Sequence, residues 1–167
     1  MSSVAVTIRP ATSAERPAVG ELYWTVWHET QAPLQPAEVT ALRDRDFFIA
    51  RVANFPVPPL AAFVADELAG FAACQGAYLG QLFLGPSARG IGLGRALLMA
   101  SEAAMRAEGH RLATLRCIVG NPARAFYERN GWGVDREVIE TIETGSGAFP
   151  VSSWLMMKRL DAPVWGD

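Results

Sequence analysis

The first pattern along the chain is an alternation. Val4 to Arg9 reads V-A-V-T-I-R and predicts a strand that Pro10 ends. Helical spacing follows. Thr12 or Ser13 can cap a helix running to about His28, with Glu15 in its first turn. Val19, Leu22, Tyr23, Val26 and Trp27 form its apolar stripe, with Trp24 off it. Pro36 opens a second helix carrying Val39, Leu42, Ile49 and Val52, although Phe47-Phe48-Ile49 has strand character and residues 43–46 are all charged. Asn54 to Pro59 holds three prolines and is a loop. Leu60 to Ala65, a turn at Asp66-Glu67, and Leu68 to Gln75 make a hairpin, and Tyr78 to Leu84 is the next strand.

A helix without a break runs from Arg95 to Glu108. Leu97, Leu98, Ser101, Ala104 and Met105 share one face. Arg95, Met99, Glu102 and Arg106 share the other, with Glu102 spaced to pair with Arg106 and Gly109 as C-cap. Leu112 to Val119 is apolar except at Thr114 and Arg116. It reads as a central strand parallel to the one before the helix, making a βαβ unit. Asn121-Pro122 starts a short helix, Ala123 to Arg129. Val134 to Ile142 and Phe149 to Arg159 pair antiparallel around Thr144-Gly145-Ser146-Gly147. The expected fold is a mixed α/β sheet of about seven strands with four helices. The tail Asp161 to Asp167 is expected to be loose.

Composition narrows the function classes. The chain has 167 residues, 50% hydrophobic and 19% charged, which predicts one globular domain, residues 1–167. A net charge of −2 gives no general nucleic-acid or membrane surface, and no apolar run approaches the ~20 residues needed to span a bilayer. The N-terminus has no signal-peptide pattern, and Cys74 and Cys117 sit in apolar segments, so free thiols in a reducing cytoplasm are expected. No metal-ligand spacing is present, and a homodimer is left open.

The chemistry starts at Leu82 to Gly94, L-F-L-G-P-S-A-R-G-I-G-L-G. A strand, a turn with three alternate glycines and a helix N-terminus together make a pyrophosphate cradle, because the first helical N–H groups have no internal partner and the dipole favours anions. The Gly-Lys-Ser/Thr of a P-loop is absent, and Arg95 stands where the dinucleotide fingerprint needs its third glycine. Arg89 through Gly92 to Gly94 reads R-x-x-G-x-G, which resembles the acetyl-CoA loop of the GNAT superfamily of acyl-CoA N-acyltransferases. Asn121 to Trp132, N-P-A-R-A-F-Y-E-R-N-G-W, resembles that family's second motif, except that six residues rather than the usual seven separate Asn121 from Tyr127.

The resemblance implies a GNAT-like fold and an N-acetyltransferase using acetyl-CoA as co-substrate. It implies that the backbone of Leu82, Phe83 and Leu84 pairs with the pantetheine arm. The pyrophosphate site would comprise Arg89, Gly90, Ile91, Gly92, Leu93, Gly94 and Arg95, with Asn121 and Tyr127 beyond it. Tyr127 would hydrogen-bond or protonate the leaving thiolate, since a phenol near ~10 sits above a thiol near ~8.5. The amine would attack directly, with Cys117 in the core. No base stands out among His28, Glu29, Glu140 and Glu143. The acceptor, a primary amine of a small molecule or peptide, is expected between the Trp27 to Gln35 loop and the strands around Phe149 and Trp154. Trp24, Trp27, His28, Gln31, Phe149 and Trp154 are the candidate walls, and such aromatic walls suggest a modest, partly apolar amine. The alternative is a non-catalytic acyl-CoA-binding module of the same fold.

Overall fold

The computed structural model describes residues 3–161, so the tail expected to be loose lies outside the described residues except for Asp161. Seven strands form one sheet: β1 Val6–Pro10, β2 Leu60–Val64, β3 Glu67–Gln75, β4 Tyr78–Leu84, β5 Leu112–Ile118, β6 Gly133–Thr144 and β7 Gly147–Arg159. Their order is β1-β2-β3-β4-β5-β7-β6, and β4 beside β5 is the parallel pair. Five α-helices accompany them: α1 Arg16–Thr30, α2 Ala37–Leu42, α3 Arg45–Ala53, α4 Leu93–Ala107 and α5 Ala123–Arg129. The mixed α/β sheet of seven strands is the one expected; the fifth helix is not.

The extra helix has a local cause. Arg43 leaves the helical region (φ −100, ψ 58), and Asp44 is extended, its carboxylate accepting the N–H of Phe47 at 2.8 Å. The run of charges read as a solvated helix middle therefore contains an N-cap, which divides the segment in two. At α1 the backbone N–H of Thr12 donates to Glu15 at 2.8 Å, and a 3₁₀ turn Ser13–Glu15 leads into the α-helix.

Each face of the sheet has its own core. On one, α4 and α5 cover Ala72, Leu79, Leu115 and Met156 with Leu97, Leu98 and Met105. On the other, α1 and α3 bring Val19, Tyr23, Trp27 and Phe48 onto Phe71 and Phe83. Gly20 lets those two helices touch: a Cβ there would lie 2.7 Å from the Cα of Ile49.

Each face expected of α4 is wrong at one position. Glu102 is 3% exposed, and its carboxylate lies 2.6 Å from Lys158 Nζ on β7, inside ion-pair range but off hydrogen-bonding direction. Arg106 donates instead to the Leu160 carbonyl at 2.8 Å, so the expected Glu102–Arg106 pair is replaced by two long-range contacts. Ala104, assigned to the buried face, is exposed.

Candidate cofactor and acceptor site

The parallel strands β4 and β5 pair only at Tyr78 with Thr114 and Leu79 with Leu115. Beyond Leu79 they part. The reason lies on the other side of β4, where Ala73 pairs with Gln81 and Cys74 with Leu79, leaving Gly80 as an extra residue. A bulge bends its strand, and here it bends β4 away from β5 where their pairing stops. β5 meanwhile stays paired with β7 along its whole length, Leu112–Ile118. The result is a wedge-shaped cleft of about 510 Å³ between the strand ends. A glycine inside a strand pattern is a bulge signal, so Gly80 and its neighbour Gln81, which also lines the cleft, were legible as special and were missed.

Leu82, Phe83 and Leu84 line one wall. They pair with Ala72, Phe71 and Gly70 of β3, and among the described residues no strand pairs with their other edge. Past them lies the glycine loop. Gly90 and Gly92 have φ of 80 and 81, a region that disfavours a side chain, and a Cβ at either would meet nothing within 4 Å. Gly92 is the residue before α4, which starts at Leu93, two residues earlier than expected. The backbone N–H groups of residues 90–95 have no acceptor among the described residues. A row of donors without a protein acceptor therefore stands at a helix N-terminus, with open space over Gly90 and Gly92. Such an arrangement holds phosphate oxygens through N–H groups and the helix dipole. Ile91 and Arg95 are exposed, whereas the Leu93 side chain is buried in the core, which leaves only its N–H for a ligand. Gly94 lines the cleft, and a Cβ there would press on Leu84 at 3.2 Å.

Tyr127 reaches the cleft from α5. It is 8% exposed and packs edge-on against Phe126 and Trp132. Burial, with smaller contributions from Cys117 and Tyr78, pushes its phenol well above the ordinary tyrosine value. Such a group stays protonated and donates a hydrogen bond; it is a weaker acid than the sequence suggested. Burial also pushes the Cys117 thiol up to about 11, so the one thiol in the cleft wall is not a thiolate at neutral pH. Asn121 lines the cleft with its side-chain carbonyl turned back to accept the N–H of Ala123 at 2.9 Å, which starts α5.

The expected acceptor walls are only partly brought together. Gln31 lines the cleft. Trp27 does not: it is 4% exposed, packed at a tilt on Phe48 in the core, because the helical stripe turns it inward. Trp24 is half-buried against the same core. His28 is held by the Arg43 carbonyl, 2.6 Å from its Nε2. Trp154 faces the α5 side, its ring under the Arg124 guanidinium at 4.4 Å, and Phe149 lies near the tip of the β6–β7 hairpin opposite Ile142. Strand alternation decides this: Trp154 points to the face opposite α1. None of His28, Glu29, Glu140 or Glu143 lines the cleft. Glu29 pairs with Arg89 at 2.6 Å and Glu140 with Arg116 at 3.8 Å.

A second cavity of about 320 Å³ shares Gly80 and Gln81 with the cleft and is walled by Arg51, Asn54, Phe55, Val57 and Tyr78. It lies on the face covered by α1 and α3. Among the described residues no group of three or more His, Cys, Asp and Glu could hold a metal, and no helix is long and apolar enough to cross a membrane.

Comparison with known proteins agrees with this geometry. Residues 17–132 match the sequence model of the acetyltransferase (GNAT) family. No curated protein matches the sequence significantly. Among solved structures, a GCN5-related N-acetyltransferase from Rhodopseudomonas palustris superposes with a TM-score of 0.73 at 18% identity, covering 95% of this chain and 99% of that one. PaiA N-acetyltransferase from Thermoplasma acidophilum, in complex with coenzyme A, gives 0.69 at 21% identity over 93% and 99%. YncA from Salmonella typhimurium, with acetyl-CoA, gives 0.70 at 21% identity over 98% of both chains. At these identities the likeness is one of fold.

Proposed function

This chain belongs to the acetyltransferase (GNAT) family, and on that premise we propose that it transfers an acetyl group from acetyl-CoA to a primary amine by direct attack. The observation that carries the reading is the run of unpartnered N–H groups at residues 90–95, which reaches at Gly94 the cleft that Tyr127 also lines. These groups fit acetyl-CoA: donors for a pyrophosphate, a strand edge at residues 82–84 for an amide-bearing arm, and a phenol where the arm would end. Acetyl-CoA would supply an activated thioester.

The chain's residues divide the remaining work. The N–H groups of residues 90–95 bind the phosphates, and Leu82 to Leu84 orient the arm through backbone pairing. The amine forms its C–N bond as the C–S bond breaks, and the Tyr127 hydroxyl donates to the sulfur as negative charge develops there. The phenol's raised affinity for its proton suits a donor that keeps it. No carboxylate or imidazole among the described residues lines the cleft, so the proton of the attacking amine leaves to water. Cys117 takes no part; its apolar surroundings keep it a thiol.

Calorimetric titration with acetyl-CoA, and with ATP as the control, followed by a thiol-release assay over a panel of amines, tests the reading. Binding of acetyl-CoA but not ATP, together with amine-dependent thiol release, is the expected result. Binding without release for every amine would leave a non-catalytic acyl-CoA-binding module, and absence of binding would remove both.

A further inference from the structure

The face that an acceptor would use is more cationic than its amine chemistry requires. Arg43 and Arg51 both lie against one ring, with guanidinium carbons 4.4 and 6.0 Å from the Phe47 centroid. Among the described residues neither has a carboxylate within ion-pair distance. Arg51 walls the second cavity, and Arg116 walls the cleft that joins it at Gly80 and Gln81. The nearest compensating charge is Glu140, a loose 3.8 Å from Arg116. Arg43 is half-buried, and burial together with Arg51 lowers its pKa from the ordinary arginine value. Two like charges held together without a counter-ion cost energy in the empty protein, and a bound anion would recover it.

A positively charged wall also disfavours an acceptor whose only charge is its ammonium. We propose that the acceptor carries a carboxylate beside its amine, with Arg51 receiving the carboxylate in the second cavity and Arg43, on the same Phe47 ring, adding positive charge beside it, while the amine faces the cleft at Gly80 and Gln81. This rests on the acetyl-transfer reading above. Guanidinium groups suit a carboxylate through paired, planar hydrogen bonds. Phe55, Pro56 and Val57 form an apolar stretch of that wall, beside the polar Asn54, Gln75 and Gln81, so the molecule fits an α-amino acid whose side chain lies on that stretch. The aromatic, weakly charged acceptor wall expected from the sequence is replaced by an arginine-bearing one.

The experiment compares leucine and phenylalanine with their C-terminal amides and their decarboxylated amines, by thiol release with acetyl-CoA. N-acetyl-leucine and its amide are titrated calorimetrically against the protein–CoA complex as non-reacting probes. The acids should have KM values about 10- to 100-fold below those of the amides, as expected for loss of one or two charge-assisted hydrogen bonds. Arg51→Met should remove that difference and lower the KM of the decarboxylated amines, whose ammonium then meets one positive charge fewer, and Arg51→Lys should restore the difference only in part. Equal KM for acids, amides and amines would overturn the proposal even with full activity. If no amine reacts, the probes still decide: tighter binding of N-acetyl-leucine than of its amide, lost in Arg51→Met, keeps the anion site while the transfer reading fails. Equal binding removes the anion site.

Discussion

The Arg89 guanidinium lies 2.6 Å from the Glu29 carboxylate and also donates to the Leu84 carbonyl at 3.2 Å. The first residue of the phosphate loop is thereby tied to the end of α1 across the mouth of the cleft. Both side chains are exposed, and such a pair is worth at most ~1 kcal/mol. Glu29 therefore competes mildly with any phosphate for Arg89. Glu29→Gln should tighten acetyl-CoA binding by about 2- to 5-fold at low salt, with the gain fading towards ~1 M salt. Arg89→Ala should weaken binding under the same conditions. Calorimetry at two ionic strengths checks both, and no change in Glu29→Gln at either would remove the competition.

Gly92 stands in a left-handed conformation with open space over it. Gly92→Val would place a branched side chain where the free N–H groups face. The acetyl-CoA dissociation constant should rise at least ~10-fold, whereas the backbone strain should cost only about 1–2 kcal/mol of stability. Calorimetry and a urea titration separate the two effects. Unchanged affinity would place the pyrophosphate elsewhere.

Tyr127→Phe keeps the ring packing and removes the hydroxyl. Turnover should fall by about 10²-fold with acetyl-CoA affinity nearly unchanged, the scale for losing one donor to a developing anion. The sign of the pKa shift sets the pH profile. A phenol raised above ~10 stays protonated throughout the neutral and mildly alkaline range, so kcat/KM should climb as the amine loses its proton and not turn down before pH ~10. A descending limb near pH 8 that vanishes in Tyr127→Phe would show a lowered pKa and contradict the burial argument.

Lys158→Met leaves the Glu102 carboxylate in the core without its cation, since Lys158 is its ion-pair partner and also holds the Asn130 carbonyl at 2.8 Å. Removal of one partner of a buried pair costs about 3–5 kcal/mol. Urea unfolding should show a loss of that size, and the Glu102→Gln and Lys158→Met double variant should recover part of it. Equal stability of Lys158→Met and the unaltered protein would show that the pair is effectively solvated.

The sequence by itself determined the parts whose physics is local. Alternation and helical spacing located the strands and most of the helices, and proline and glycine placed most of the breaks. The recipe of strand, glycine turn and helix was complete in residues 82–94, because free N–H groups and left-handed glycines are properties of a short segment. Tertiary structure decided what depends on neighbours far along the chain. Glu102 looked like a surface charge until Lys158 of β7 was laid beside it. Trp27 looked like a wall at the end of a helix, and Phe48 from another helix covers it. Asp44 was one charge in a run read as a helix interior, and only the observed bend at Arg43 makes it a cap. The arginines at positions 43, 51 and 116 are scattered among unremarkable surface patterns. Arg43 and Arg51 come together only because both fold onto the Phe47 ring, and Arg116 lines the cleft that opens where Gly80 bends β4 away from β5. Local signals report the backbone's own hydrogen bonds and φ preferences, whereas charge pairing and burial are settled by whichever distant segment arrives.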